Sequence, residues 1–181
     1  MAVREILLYS ENKKALRKKS KPVEGIDQDL KQLIADLKDT LNACPEGIGL
    51  AAPQINVHKR VVLVRLGATG NSSGEPGLPI PLISPKIIEA GDERKDFDGC
   101  LSFPGLYGET FRPHHLRVTG VDEGGQPFDQ VYDGFDAAVV HHEIDHLDGV
   151  LFIDRIENWK DLYTQRTNEN GELVRVPVTV S

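Results

Sequence analysis

Apolar residues recur at helical spacing in two stretches of the chain and at strand spacing in several others, so the pattern alone divides the molecule into elements. Over residues 27–43, Leu30, Leu33, Ile34, Leu37 and Leu41 share one helix face, and Asp27 stands where a side-chain cap is wanted. Residues 60–66, 86–89, 116–122 and 127–132 read as strands, with Glu123-Gly124-Gly125 turning the last two into a hairpin. Residues 67–81, rich in Gly, Ser and Pro, read as an exposed loop. A second helix opens after Asp133 as N-cap and stops at Gly149. One of its stripes runs through Phe135 and Val139 into His142 and His146, and another through Val140, Ile144 and Leu147. A helix apolar on two sides is expected to be buried. The reading is α+β, with antiparallel or mixed β-sheets packed around this central helix and an amphipathic helix near the N-terminus. Asn168-Glu169-Asn170-Gly171 breaks the pattern near the end, and residues 173–180 alternate as a strand or extended arm.

The central helix carries His142-Glu143-Ile144-Asp145-His146. Positions four apart on a helix differ by only about 40° around the axis, so both imidazoles can grip one ion from one face. Glu143 then sits beside the ion and can take a proton from water that the ion activates, which points to metal-assisted hydrolysis. The plain alternative is a surface helix with two solvated histidines. The apolar stripes argue against it, because buried imidazoles need partners and a metal satisfies them.

A catalytic ion usually takes three protein ligands and leaves a position for water. The metzincin pattern would place a histidine where Phe152 stands, so that ligand set is ruled out. Glu157, Glu169 and Glu172 are available downstream in weakly patterned sequence, as a thermolysin-like site would need. Cys100, flanked by glycine and proline signals, is the better candidate, set against its reading as a buried, inert cysteine.

Three segments, Gly47-Ile48-Gly49-Leu50-Ala51-Ala52-Pro53-Gln54, Gly99-Cys100-Leu101-Ser102 and His142-Glu143-Ile144-Asp145-His146, resemble the signature motifs of peptide deformylases, in the family's order. The likeness runs from about Val3 to Ile156. It implies that Cys100, His142 and His146 bind the metal, with water as the fourth ligand, and that Glu143 is the general acid and base. It further implies that the Gln54 amide and the Leu101 backbone N–H bind the formyl oxygen as it becomes an oxyanion, while Ile48 and Gly49 position the substrate. Arg112 matches an arginine in relatives and is expected to pair with Asp145, holding the helix against the strand after Cys100. The implied cofactor is one divalent ion per chain, Fe²⁺ by resemblance. Zn²⁺, Ni²⁺ or Co²⁺ suit the same ligands, and the Irving–Williams order favours zinc over iron(II). Two positions depart from the family pattern, Asp98 for glutamate and His141 for glutamine, and neither replaces a ligand or the base.

Length and charge then limit the alternatives. The 181 residues suit one domain over residues 1–181, and a net charge of −7 argues against a general nucleic-acid binder, so no DNA partner is expected. Cys44 and Cys100 are too far apart for a metal knuckle, and Cys44 reads as structural. No secretory segment follows Met1, no apolar run approaches a membrane span, and the cytoplasm is the expected compartment. N-formyl-methionyl nascent peptides are the implied partners. Lys13, Lys14, Arg17, Lys18, Lys19 and Lys21 read first as a solvated face, with transient ribosome contact as the second reading. Some relatives end in a long basic helix that this tail lacks, so ribosome docking by such a helix does not transfer. The competing functions are an endopeptidase, and a closed, non-catalytic metal site with His114, His115 or Cys44 as fourth ligand.

Overall fold

The computed structural model describes residues 2–67 and 77–178. In chain order the elements are α1 (Tyr9–Leu16), α2 (Gln28–Asn42), β1 (Gly49–Ala51), β2 (Val61–Val64), β3 (Ile80–Gly99), β4 (Leu106–Val121), β5 (Pro127–Asp133), α3 (Gly134–Leu147), β6 (Leu162–Thr167) and β7 (Leu173–Pro177). The class is α+β. All seven strands belong to one antiparallel sheet in the order β1-β2-β3-β4-β6-β7, with β5 also paired to β4. Of the expected antiparallel or mixed sheets the antiparallel alternative is found, joined in one sheet and not several, and parallel pairing is limited, among the described residues, to the isolated bridge Lys21↔Lys59. The physical reason is the length of β3 and β4. They stay paired from Ile83↔Val121 to Gly99↔Tyr107, and register shifts after Ile83 and Ile87 bend the ladder without breaking it.

Residues 61–64 are all buried because both faces of the sheet are covered there. Val62 and Val64 pack with Leu116, Val118 and Tyr132 against Val139, Val140 and Ile144 of α3. Val61 and Leu63 pack on the opposite face against Leu30, Ile34, Leu37 and Leu41 of α2. A continuous apolar run, unlike an alternating one, marks a strand with a helix on each side. The sheet curls so that its β4 and β5 portions also reach α3, which is buried from Ala137 to Leu147.

Asp27 caps α2 by accepting the Leu30 N–H at 2.7 Å. Asp133 occupies the N-cap of α3, but its side chain caps nothing and lies 2.7 Å from His115 Nδ1 instead. The loop expected over residues 67–81 falls mostly outside the described residues, and Ile80 and Pro81 already belong to β3. The tail forms a hairpin, β6–β7, whose turn is held by Asn168 Oδ1 accepting the Asn170 and Glu172 N–H groups.

Gly149 follows α3 with φ of +73°, and a Cβ there would lie 2.2 Å from the carbonyl oxygen of Arg17. Gly134, at the other end of the helix, has φ of +61°, and a Cβ added there would meet nothing within 4 Å. Gly134→Ala should therefore cost only the left-handed backbone penalty, ~1–2 kcal/mol. Gly149→Ala adds overlap with a backbone atom and should cost clearly more, which urea denaturation of the two variants will rank; equal losses would contradict the packing described.

Candidate metal and catalytic centre

The sheet delivers Cys100 to α3. β3 ends at Gly99, and the chain turns through residues 100–105, with the Phe103 N–H bonded to the Cys100 carbonyl at 2.8 Å. On α3, His142 and His146 lie on one face with ring centroids 5.1 Å apart. The ligand atoms of Cys100, His142 and His146 all lie within 4.8 Å of one another, and Cys100 Sγ is 3.3 Å from His146 Nε2. A soft thiolate with two imidazoles is a donor set for a divalent transition metal. Among the described residues no fourth side chain joins the cluster. His114 faces Asp96 at 3.6 Å, His115 turns to Asp133, and Cys44 lies elsewhere, so the candidates for a closed site are not brought together.

The cluster is braced from behind. His142 Nδ1 donates to Asp98 Oδ1 at 2.7 Å. Burial opposes the imidazolium, yet the Asp98 carboxylate raises the His142 pKa well above its ordinary value, so the metal-free ring is charged and a bound ion would displace the Nε2 proton. Asp98 Oδ2 accepts from Thr110 Oγ1 at 2.9 Å and from Arg112 Nε at 2.7 Å. Burial opposes the Asp98 charge, yet the neighbouring His142 and Arg112 charges outweigh it and hold the carboxyl well below the usual range. Arg112 also reaches Asp145 Oδ2 at 2.9 Å, and Arg155 closes a bidentate pair on Asp145 at 2.6 and 2.7 Å. His141 points away from the cluster, its Nδ1 2.8 Å from Arg112. Burial lowers its pKa to about 4, so the ring is a neutral acceptor there. Burial likewise lowers His146 to about 3, keeping its lone pair available.

Glu143 lies between the histidines, buried, with Oε2 unpartnered among the described residues. Burial raises its pKa to about 7, the nearby His142 and Arg112 charges offsetting only part of the penalty. Its carboxyl packs on Gly49, where a Cβ would come within 2.2 Å of Oε1. Only glycine permits that approach. The Gln54 oxygen accepts the Ala51 N–H at 2.8 Å, which aims Nε2 toward Ser102 Oγ at 3.1 Å and Cys100 Sγ at 3.5 Å. The Leu101 N–H has no hydrogen-bond partner among the described residues. Ile48, Gly49, Gln54, Leu101 and Glu143 all line one cavity of about 510 Å³.

Several contributors escaped the sequence pattern. Thr110 and Arg155 carry no motif of their own and are found only through the carboxylates they serve. The N-terminal segment was equally silent, yet Leu7 N–H binds the Gln54 carbonyl at 2.7 Å and Tyr9 N–H the Ser102 carbonyl at 3.0 Å, strapping the two loops together.

A curled antiparallel sheet around a helix that presents two imidazoles and a buried carboxylate beside a cysteine is the architecture of a metal-dependent amide hydrolase. Comparison with known proteins narrows the class. The chain matches the polypeptide deformylase family model over residues 3–161. It is 42% identical to a peptide deformylase of Thermomicrobium roseum over 87% of this chain and 88% of that one. The corresponding figures for the Heliobacterium modesticaldum enzyme are 43%, 87% and 97%. The fold superposes on a peptide deformylase from Ehrlichia chaffeensis, in complex with actinonin, with a TM-score of 0.77 at 33% identity, covering 89% of this chain and 92% of that one. The chain therefore belongs to the polypeptide deformylase family, metal-dependent hydrolases that remove the formyl group from the N-termini of newly made proteins.

The raised Glu143 pKa has a consequence for metal-free protein. Because the folded value, about 7, exceeds the ordinary 4.5, the contribution of Glu143 to stability is intact below about pH 4.5 and is lost as pH rises through 7. Glu143→Gln has no such loss and shares every other titrating group. The variant should gain up to ~3 kcal/mol over the parent between pH 5 and pH 8 in chelator-treated samples. A stability difference that does not change with pH in thermal melts would refute the buried-charge account.

Proposed function

We propose that Cys100, His142 and His146 hold the single divalent ion on which the activity depends, and that Glu143 is the general acid and base of formyl hydrolysis. The observation that carries this reading is the convergence of three ligand atoms within 4.8 Å beside a buried carboxylate with an unpartnered oxygen. When bound, the ion acidifies water and polarises the formyl group. Glu143 accepts the proton of the attacking water and passes it to the departing amine, a task suited to a buried carboxyl whose Oε2 has no other partner among the described residues. Gln54 Nε2 and the Leu101 N–H donate to the oxygen that becomes negative in the tetrahedral intermediate. One such donor is worth ~3–4 kcal/mol of barrier. Ile48 and Gly49 position the formyl-methionine, and the products are formate and a peptide with a free amino terminus. Arg112 and Asp145 act through the ligands by fixing α3 against β4. Removing one side of such a buried ion pair costs ~3–5 kcal/mol.

Residues 1–181 act as one catalytic domain on N-formyl-methionyl nascent peptides in the cytoplasm, with iron(II) as the ion. Among the described residues no helix is long and apolar enough to cross a membrane. The basic segment at residues 13–21 reads first as a solvated face, in which Arg17 is tied to Asp154 and Lys19 lies 3.9 Å from Asp148, with transient ribosome contact as the second reading.

The test is formate release from formyl-methionyl peptides, with acetyl-methionyl peptides and casein as controls for other amidase activity. Glu143→Gln should retain its metal by elemental analysis while losing at least ~100-fold in turnover. Joint loss of metal and activity would assign Glu143 to the structure instead.

Iron(II) beside the Cys100 thiolate offers oxygen a redox partner that nickel(II) does not. Iron-loaded protein should lose formate release within hours in air and nickel-loaded protein should keep it, with mass spectrometry placing oxidation on Cys100 and not on Cys44. Equal durability would point to a redox-silent working ion.

A further inference from the structure

The family match ends at Asp161, and the β6–β7 hairpin begins at the next residue. That hairpin nevertheless joins the site. β6 pairs with the start of β4 through Tyr107↔Tyr163 and Leu106↔Thr164, and the Gln165 N–H binds the Gly105 carbonyl at 3.2 Å, on the loop that follows Cys100. Gln165 lines the same cavity as Cys100 and Glu143, as do Phe97 and Tyr107. The Gln165 side-chain oxygen accepts the Tyr107 hydroxyl at 3.2 Å, and its two amide N–H donors have no partner among the described residues.

Arg175 stands directly across the hairpin from Gln165, so the two side chains share a face. Its guanidinium lies 3.6 Å from the centroid of the Phe97 ring, which also stacks with Tyr107 at 5.3 Å. Among the described residues no carboxylate lies within ion-pair distance of Arg175, whereas Lys95 and Arg94 nearby on β3 are each paired. Besides Asp98 and Glu143 of the centre itself, two further carboxylates line the cavity. Asp96 faces His114, and Glu46 sits on the loop before β1, a different element from the hairpin. The hairpin thus offers neutral amide donors at the cavity wall and, just outside that lining, a cation stacked on Phe97 with no carboxylate partner among the described residues. Amide donors suit peptide carbonyls, and a guanidinium suits a carboxylate.

We propose that the β6–β7 hairpin reads the substrate beyond its formyl-methionine: Gln165 binds the peptide backbone and Arg175 favours an acidic side chain at the third or fourth residue. This rests on the function proposed above. An exposed pair of this kind supports a modest preference, about threefold to fivefold, that fades with salt.

The experiment measures kcat/KM for formyl-Met-Ala and for tetrapeptides carrying Asp or Lys at the third or fourth position. Formate release from formyl-Met-Ala by the parent protein tests the underlying reading by itself. The hairpin is tested by the Asp-to-Lys ratio within each protein, which cancels differences in folded fraction or metal content. The parent should favour Asp through a lower KM, Arg175→Gln should abolish the preference, and Arg175→Glu should invert it. Gln165→Ala should raise KM for the tetrapeptides over that for formyl-Met-Ala without altering the Asp-to-Lys ratio. An identical Asp-to-Lys ratio in the parent and Arg175→Glu, with formyl-Met-Ala still cleaved, would overturn the proposal and leave the deformylase reading intact.

Discussion

The guanidinium of Arg112 lies between Asp98 at the end of β3 and Asp145 on α3, and the remainder of the centre is assembled around that bridge. One carboxylate aligns His142; the other belongs to the helix that carries both histidines. Arg112 itself stands on β4, so a single planar cation ties together the strand that leads to Cys100, its neighbour in the sheet and the helix. A lysine could not do this, because its point charge lacks the fixed fork that reaches two carboxylates in one plane. Arg112, Asp98 and Asp145 are all buried, and the energy of the arrangement depends on every member being paired. Thr110 and Arg155 complete the count by occupying the carboxylate lone pairs that Arg112 leaves open.

Asp98 shows how a shorter side chain is accommodated. Its Oδ1 meets His142 and its Oδ2 meets both Arg112 and Thr110, so every contact is made despite one methylene less than the glutamate usual in the family. His141 fits the same economy. Where the family pattern has an amide, a neutral imidazole accepts from Arg112 and takes no part in the metal cluster.

Much of this was legible in the sequence because it depends on local periodicity. The α2 cap, the two stripes of α3 and the hairpin at residues 123–125 follow from spacing and turn chemistry alone. The extent of β3 and β4 was not legible. Beyond the stretch read at residues 86–89, β3 carries Asp92, Glu93, Arg94 and Lys95 in exposed positions, and pairing between long strands is decided by the partner more than by residue preference. The kinked helix α1 was hidden for a related reason: its basic residues signal solvent, and only Leu16 is buried. Gln54, Leu101 and Gly49 were visible only through the family motifs. Nothing in the residues themselves announces a backbone donor or a bare Cα that a carboxylate needs to approach.

The placement of Cys100 at one end of the β3–β4 ladder also bears on the order in which the protein matures. In an unfolded chain the two histidines of α3 are neighbours, but the cysteine joins them only after the bent sheet has closed around the helix, a long-range event that lags behind local structure. Before that moment the chain offers an ion two weak imidazoles; afterwards it offers a thiolate as well. If these three residues hold the ion as proposed, complete capture would belong to the final stage of folding, and most of its binding energy would fall on the native state, locking a finished topology more than guiding the search for it.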